Sequence, residues 1–266
     1  FIRLYKKERL EMIIIDTHTH LYSDAFDEDR KAAIQEAIDN NVKRFFIPAI
    51  DSETTQAMYQ LEKDFPENIF LMMGLHPTHV KENYEDELKH VELELDARKF
   101  YAVGEIGIDL HWDKSTLEIQ KDAFKRQIQM AKDRNLPIVI HCRKAFDEIF
   151  EVLESEKNDQ LFGIFHCFTG TLEQAHRAIA LNFYLGIGGV VTFKKSGLDQ
   201  VVAQIDLKHI VLETDSPYLA PSPNRGKRNE SSYLIHIAQK VADLHQVSIE
   251  ELAKVTTENS KQIFGC

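Results

Sequence analysis

Ile13-Ile14-Ile15-Asp16-Thr17-His18-Thr19-His20 is the stretch from which the fold is read. The apolar run reads as a strand buried on both faces. Side chains alternate along an extended chain, so His18 and His20 share one face while Thr17 and Thr19 take the other. Two imidazoles side by side are half a metal site if other strands bring histidines or carboxylates to the same place. Taken alone, the same residues also fit a histidine-rich surface turn.

The unit of buried strand plus amphipathic helix then recurs along the chain. Helix-spaced Ile34, Ala37 and Ile38 lie between Glu28 and Asn41, followed by a strand at Phe45–Pro48 and a helix near Ala57–Phe65. Ile69–Leu75 reads as a third strand ending in Gly74-Leu75-His76-Pro77. A helix near Asp86–Ala97 leads to a fourth strand, Tyr101–Glu105. Ser115-x-x-Glu118 has the form of a capping box opening a helix with Leu117, Phe124, Ile128 and Ala131 on one face. Strands at Pro137–His141, Gly163–His166, Tyr184–Ile187 and Ile210–Asp215 alternate with helices at Ala145–Glu156, after Thr171-x-x-Gln174, and around Val201. Two closing helices follow, one with Leu234, Ala238, Val241 and Ala242, the other opened by Ser248-x-x-Glu251. Eight strand-like runs, most of them continuously apolar, alternate with helices and predict an α/β fold, a (β/α)8 TIM barrel with extra C-terminal helices. The competing open, doubly wound sheet would carry a Gly-rich phosphate loop after an early strand, and there is none.

Composition narrows the class. The chain has 266 residues without linker, repeat or low-complexity tract, so 12–266 reads as one domain. Residues 1–11, basic and directly upstream of Met12, read as an N-terminal extension outside the fold. Lys and Arg number 32 against 43 Asp and Glu, a net charge of -11, which argues against a general nucleic-acid coat. It leaves open an enzyme that meets phosphates locally through metal ions and a few arginines. Three cysteines without CxxC spacing fit a reducing cytoplasm, and no apolar run approaches a membrane span.

The strand ends carry the chemistry. They deliver His18, His20, Glu105, His141, His166, Glu213 and Asp215. In a closed parallel barrel all these ends share one face, where such barrels perform their reactions. A nitrogen-rich set with carboxylates suits zinc, manganese or iron better than magnesium, and it exceeds the three ligands one catalytic metal needs. We therefore expect a binuclear site with a bridging carboxylate.

The ordered motifs DTHTH, GLHP, GEIGID, IHCRKA, FHCFTG and ETDSPYL, followed by NRGKRNE, span Met12 to Cys266. In that order they resemble the TatD family of metal-dependent deoxyribonucleases, among the amidohydrolase-like barrels. The resemblance implies a divalent-metal hydrolase that shortens DNA exonucleolytically at phosphodiester bonds, with single strands or strand ends as substrate and no obligate protein partner. It implies two ions (Zn, Mn or Mg) held by His18, His20, Glu105, His141, His166 and Asp215. Glu105 would bridge, with His18, His20 and Asp215 on one ion and His141 and His166 on the other. The chain departs from the family's usual wording at Cys142, Thr169, Ser231 and Gly186–Gly189; none of these removes a ligand.

Physical chemistry extends the roles. Asp215 is the candidate general base or a pure ligand, and Glu105 shares the catalytic assignment. Glu213, on the same strand face as Asp215, would orient a ligand from behind or be a buried structural carboxylate. Arg143 is expected on substrate phosphate, since a guanidinium forks onto phosphate oxygens; Arg225 and, more weakly, Arg228 could do the same. His76 is expected to contact phosphate or leaving group, His79 less so, and Asp109 to fix its loop. Trp112, beside His111, would pack beneath that loop or stack on a base, with packing the expectation. Cys142 and Cys167 should face the helix layer, Glu230 should cap a helix or tie its loop back, and Gly104, Gly107, Gly188 and Gly189 should permit tight turns. The same barrel and ligands also serve a hydrolase of small esters, lactones or aminoacyl-tRNA, the alternative function. A non-catalytic metal binder is a third reading, poorly matched to so complete a ligand set.

Overall fold

The computed structural model describes residues 12–266, so the extension expected at 1–11 lies outside the described residues. Its strands are β1 (Ile14–Asp16), β2 (Val42–Ile47), β3 (Ile69–Leu71), β4 (Val103–Asp109), β5 (Ile138–Arg143), β6 (Gly163–Phe165), β7 (Phe183–Ile187) and β8 (Ile210–Leu212). Parallel ladders join them as β1-β2-β3 and β4-β5-β6-β7-β8. Two seams complete the ring. At one, a parallel bridge pairs Met73 with Val103, and Gly104 N donates to Met73 O at 3.0 Å. At the other, Thr17 N donates to Leu212 O at 3.0 Å and Asp215 N to His18 O at 2.9 Å. The expected barrel is therefore present as two sheets meeting edge to edge, rather than as one unbroken ladder.

Helices follow the strands in turn: α1 (Arg30–Asp39), α2 (Thr55–Asp64), α3 (Tyr84–Ala97), α4 (Leu117–Asp133), α5 (Phe146–Ser155), α6 (Leu172–Ala180) and α7 (Leu198–Val202). Two close the chain, α8 (Leu234–His245) and α9 (Ile249–Phe264). The expected capping box at α6 forms in both directions between Thr171 and Gln174, and Ser248 accepts from Glu251 N at the start of α9. The box expected at Ser115 does not form. Helix α4 begins after Thr116, and Ser115 Oγ donates to Asp113 Oδ1 at 2.6 Å instead. A local Asp–Ser turn has won the hydroxyl.

Inside the ring, Ile15, Phe46, Met72, Ala102, Val139, Ile164 and Val211 form one buried apolar cluster with Ile263 and Phe264 of α9. The Phe264 ring stacks on Phe46 with centroids 3.7 Å apart. Val139, Ile164 and Val211 precede His141, His166 and Glu213 by two residues, so they share an inward face with them. This dry layer is the floor on which the polar side chains stand. Several strands are shorter than the apolar runs suggest: β3 stops at Leu71 and β8 at Leu212, and Ile13 lies outside β1. Beyond Leu212 the chain bends, with Glu213 N bonding back to Ile187 O and Asp215 at a φ of 56°.

Candidate metal centre

Glu105 is the hub. The β4–β5 register shifts between Gly104 and Ile106, which leaves Glu105 as the extra residue of a bulge, and bulges re-aim side chains. Its buried carboxylate divides between two groups of imidazoles. Oε2 lies 3.1 Å from His18 Nε2 and 3.6 Å from His20 Nε2. Oε1 lies 2.8 Å from His141 Nδ1, 3.1 Å from His166 Nε2 and 3.3 Å from His76 Nε2. Asp215 Oδ1 closes the far side, 3.4 Å from His20 Nε2 and 3.7 Å from His18 Nε2. Three overlapping sets have donor atoms close enough to share an ion: His18–His20–Glu105, His18–His166–Asp215 and His76–Glu105–His141. His166 thus stands between the two groups, sharing Glu105 Oε1 with His141 and a donor set with His18 and Asp215, while His76 lies beside His141.

The outward nitrogens are held by a second layer of groups. His141 Nε2 donates to Asp109 Oδ2 at 2.8 Å, and His166 Nδ1 donates to Glu213 Oε1 at 3.1 Å. His20 Nδ1 donates to the Tyr22 hydroxyl at 3.0 Å, which in turn donates to Pro48 O. Each bond fixes a tautomer and turns the other ring nitrogen, lone pair outward, toward Glu105. His76 differs. Its Nδ1 accepts the backbone N–H of Thr78 at 3.1 Å, so the neutral ring carries its proton on Nε2. It therefore presents a donor to the site, not a lone pair.

Electrostatics follow from this crowding. Burial pushes the Glu105 carboxyl up, but His166, His76 and His18 outweigh it and hold the group well below the ordinary carboxylate range. Asp215 is likewise lowered, burial being overcome by His20, His166 and His18. Burial disfavours charge on His166, yet Glu105 and Glu213 raise it well above the usual imidazole value; Asp109 and Glu105 raise His141 in the same way. Burial lowers His76 to about 4, so its ring is neutral. Carboxylates held in their ionised form among inward-facing imidazoles make a site that calls for positive charge. Oriented Nδ1 and Nε2 lone pairs around a divided carboxylate fit divalent cations, zinc or manganese more closely than magnesium.

The remaining expectations sort by location. The centre opens into a cavity of about 1070 Å³ lined by His20, His76, His141, His166, Asp215 and Arg143, among others. Arg225 lies outside this lining, its guanidinium 3.6 Å from the Phe193 ring centroid. Arg228 is taken by Asp29 and Glu230, at 2.7 and 2.9 Å, so it does not face substrate, and Glu230 receives it rather than capping a helix. His79 stands at the rim, 3.5 Å from Asp51. Trp112 does not pack beneath its loop: it is 75 % exposed on the cavity rim. Cys167 reaches the cavity wall, a correction to its expected place in the helix layer, whereas Cys142 packs against the main apolar core and also lines the cavity. Asp109 does fix its loop, accepting His111 N at 2.9 Å, and orients His141 as well. Gly104 and Gly107 lie within β4, not in turns. At Gly107 (φ 145°) a Cβ would fall 2.0 Å from His141 O, so glycine lets β5 approach. Tyr22 was missed, though its place two residues beyond His20 puts it on the histidine face.

Residues 15–265 match the sequence profile of a family described as TatD related DNase. The chain is 41% identical to YabD of Bacillus subtilis, described as an uncharacterised metal-dependent hydrolase, over 95% of this chain and 99% of that one. It is 31% identical to TatD of Escherichia fergusonii, described as a 3'-5' ssDNA/RNA exonuclease, over 95% and 99% of the two chains. Among solved structures, the TatD homologue YjjV of Escherichia coli K12 superposes with a TM-score of 0.90 at 28% identity, over 95% of this chain and 98% of that one.

Proposed function

Because the chain belongs to the TatD family of metal-dependent hydrolases, we propose that it cleaves phosphodiester bonds in DNA, working from strand ends on a pair of divalent cations. In this reading His18, His20, Glu105, His141, His166 and Asp215 would hold the cations, with the Glu105 carboxylate lying between the two groups of imidazoles. The observation that carries it is the division of Glu105 between two groups of imidazoles, with its Oε1 and Oε2 each 3.1 Å or less from a ring nitrogen. No helix among the described residues is long and apolar enough to cross a membrane.

Bound there, divalent cations supply Lewis acidity, lowering the pKa of a water toward neutrality and offsetting phosphate charge. The chain's own groups do the rest. Asp109, Glu213 and Tyr22 hold the rings of His141, His166 and His20 at fixed angles, so little reorganisation is needed when substrate arrives. Asp215 Oδ1, kept ionised, accepts the proton of the attacking water. His76 Nε2–H donates to a phosphate or leaving-group oxygen, a task that suits a neutral ring with a fixed tautomer. Arg143, on the cavity wall, pairs with a neighbouring phosphate.

Purified protein with Mg, Mn or Zn is expected to shorten single-stranded DNA, and His141→Ala to abolish this with an unchanged circular dichroism spectrum. Robust turnover of lactones or aminoacyl esters, with DNA left intact, would replace this reading with the small-ester one.

A further inference from the structure

Five large hydrophobic side chains stand exposed among the described residues, and three of them, Trp112, Tyr218 and Leu219, line the cavity of the metal centre. A mouth leading to carboxylates and imidazoles gains nothing from apolar groups unless the substrate brings flat apolar surface there. Trp112 is the most exposed of the three at 75 %. Its indole is braced all the same. The His111 ring meets it edge-on with centroids 4.6 Å apart, and the Arg143 guanidinium lies 5.5 Å from its centroid. Arg143 forms no ion pair with another side chain among the described residues, so its charge is free for an anion. The shelf is also tied to the chemistry. Arg143 pairs in register with Asp109, the residue that holds both His141 and the His111 backbone. On the β1–β2 side of the same cavity the lining carries Asp24, Asp51 and Glu53, which repel a polyanion. A nucleic acid strand is thereby directed toward the Trp112 side.

We propose that Trp112 and Arg143 form a nucleotide shelf, the indole stacking on the base of a single strand while the guanidinium holds that nucleotide's phosphate. The inference deepens the nuclease reading and rests on it. A base inside a duplex has no free face to offer, and a small ester has no base, so the shelf selects unpaired nucleic acid. Base–aromatic stacking of about 1–3 kcal/mol corresponds to roughly 5- to 150-fold in affinity.

Trp112 is the only tryptophan of the chain, so its fluorescence reports the shelf directly. The full-length protein in Mg2+ is titrated with a phosphorothioate oligothymidine, and separately with an abasic oligonucleotide of equal length. Saturable quenching by the first and not the second is the expected result. In turnover of ordinary oligothymidine, Trp112→Ala should lose roughly 5- to 150-fold, chiefly in KM, and Trp112→Phe should recover most of it. Equal quenching by both oligonucleotides, or none while oligothymidine is degraded normally by Trp112→Ala, overturns the shelf and leaves the nuclease reading standing. Single-stranded DNA that is neither bound nor cut by the wild-type protein removes both.

Discussion

Asp109 shows how much one carboxylate does without touching substrate. Its Oδ1 accepts the His111 backbone and its Oδ2 accepts His141 Nε2–H, so one side chain sets both a loop and a ring tautomer. An Asp109→Asn variant keeps the shape but loses the charge that makes His141 a stronger donor to a metal. Metal affinity should fall about 10–100-fold, read by isothermal titration, with the far-ultraviolet spectrum unchanged. Affinity equal to wild type would mean that His141 needs no orienting partner. The strand-end motifs name the side chains that gather around Glu105 but not their pairings. GEIGID and IHCR each contain a recognisable candidate ligand, whereas the Asp109–His141 bond depends on β4 and β5 lying in register, and the Tyr22–His20 bond on a ring rotation. Trp112 was misjudged for a related reason: tryptophan's size favours burial on average, and only the loop's path puts it at the rim.

At the scale of elements, strand β4 and the loop after β8 bear most of the constraint. Gly107 sits at a φ of 145°, and an added Cβ would lie 2.0 Å from His141 O, backbone that cannot swing aside. Gly107→Ala should therefore cost about 3 kcal/mol and lower the melting temperature by roughly 6–12 °C. A shift within about 2 °C in calorimetry would show that β5 can retreat. The loop after β8 is fastened to the start of α1 through Arg228, whose two terminal nitrogens reach Asp29 Oδ1 and Oδ2 at 2.7 Å. Its hydrogen bonds hold the Asp29 carboxyl below the ordinary value. A carboxyl whose folded pKa is depressed contributes fully above its unfolded value, near ~4, and loses that contribution as pH falls through the lowered one. Asp29→Asn should thus melt slightly below wild type at neutral pH, with the gap closing below about pH 4 and shrinking in high salt. A gap that persists in acid would assign the loss to packing rather than charge. Element types were legible because apolar runs and helical spacing report burial directly. Element ends were not: β3 and β8 stop early where backbone bonds across the seams take over, and the Ser115 hydroxyl chose Asp113.

Across the whole molecule, the ring brings His18 and His20 after β1, His141 of β5 and His166 after β6 onto the Glu105 carboxylate of β4, with Asp215 of the bend after β8 set against His18 and His20. The barrel was foreseeable because eight alternating units have few ways to bury eight apolar strands. The two seams were not: the one beside β4 rests on a few backbone bonds, and the one between β1 and β8 adds hydroxyl and carboxylate bonds among Asp16, Thr17, Thr19, Thr214 and Ser216 that only the closed ring brings together. Those seams give metal binding a structural consequence. His18 lies beyond β1 and Asp215 beyond β8, joined by His18 O accepting Asp215 N and by His20 N donating to Ser216 O, and Glu105 stands beside the other seam. The candidate ligands, drawn from both sides of each seam, convene only in the folded ring, so cations held by them would favour the native state over the unfolded chain. At a free metal concentration one hundred times Kd the gain is about 2.7 kcal/mol for each site. In a chain of this size each site raises the melting temperature by roughly 5–10 °C, and the pair together by roughly 10–20 °C. Chelation with EDTA should lower the melting temperature by that amount and added Mn should restore it. His141→Ala should shrink the increment, while Arg143→Ala, which removes no ligand, should keep it. Equal melting temperatures with and without metal, in protein shown by elemental analysis to have bound it, would mean that the ring closes without help and that the centre serves chemistry alone.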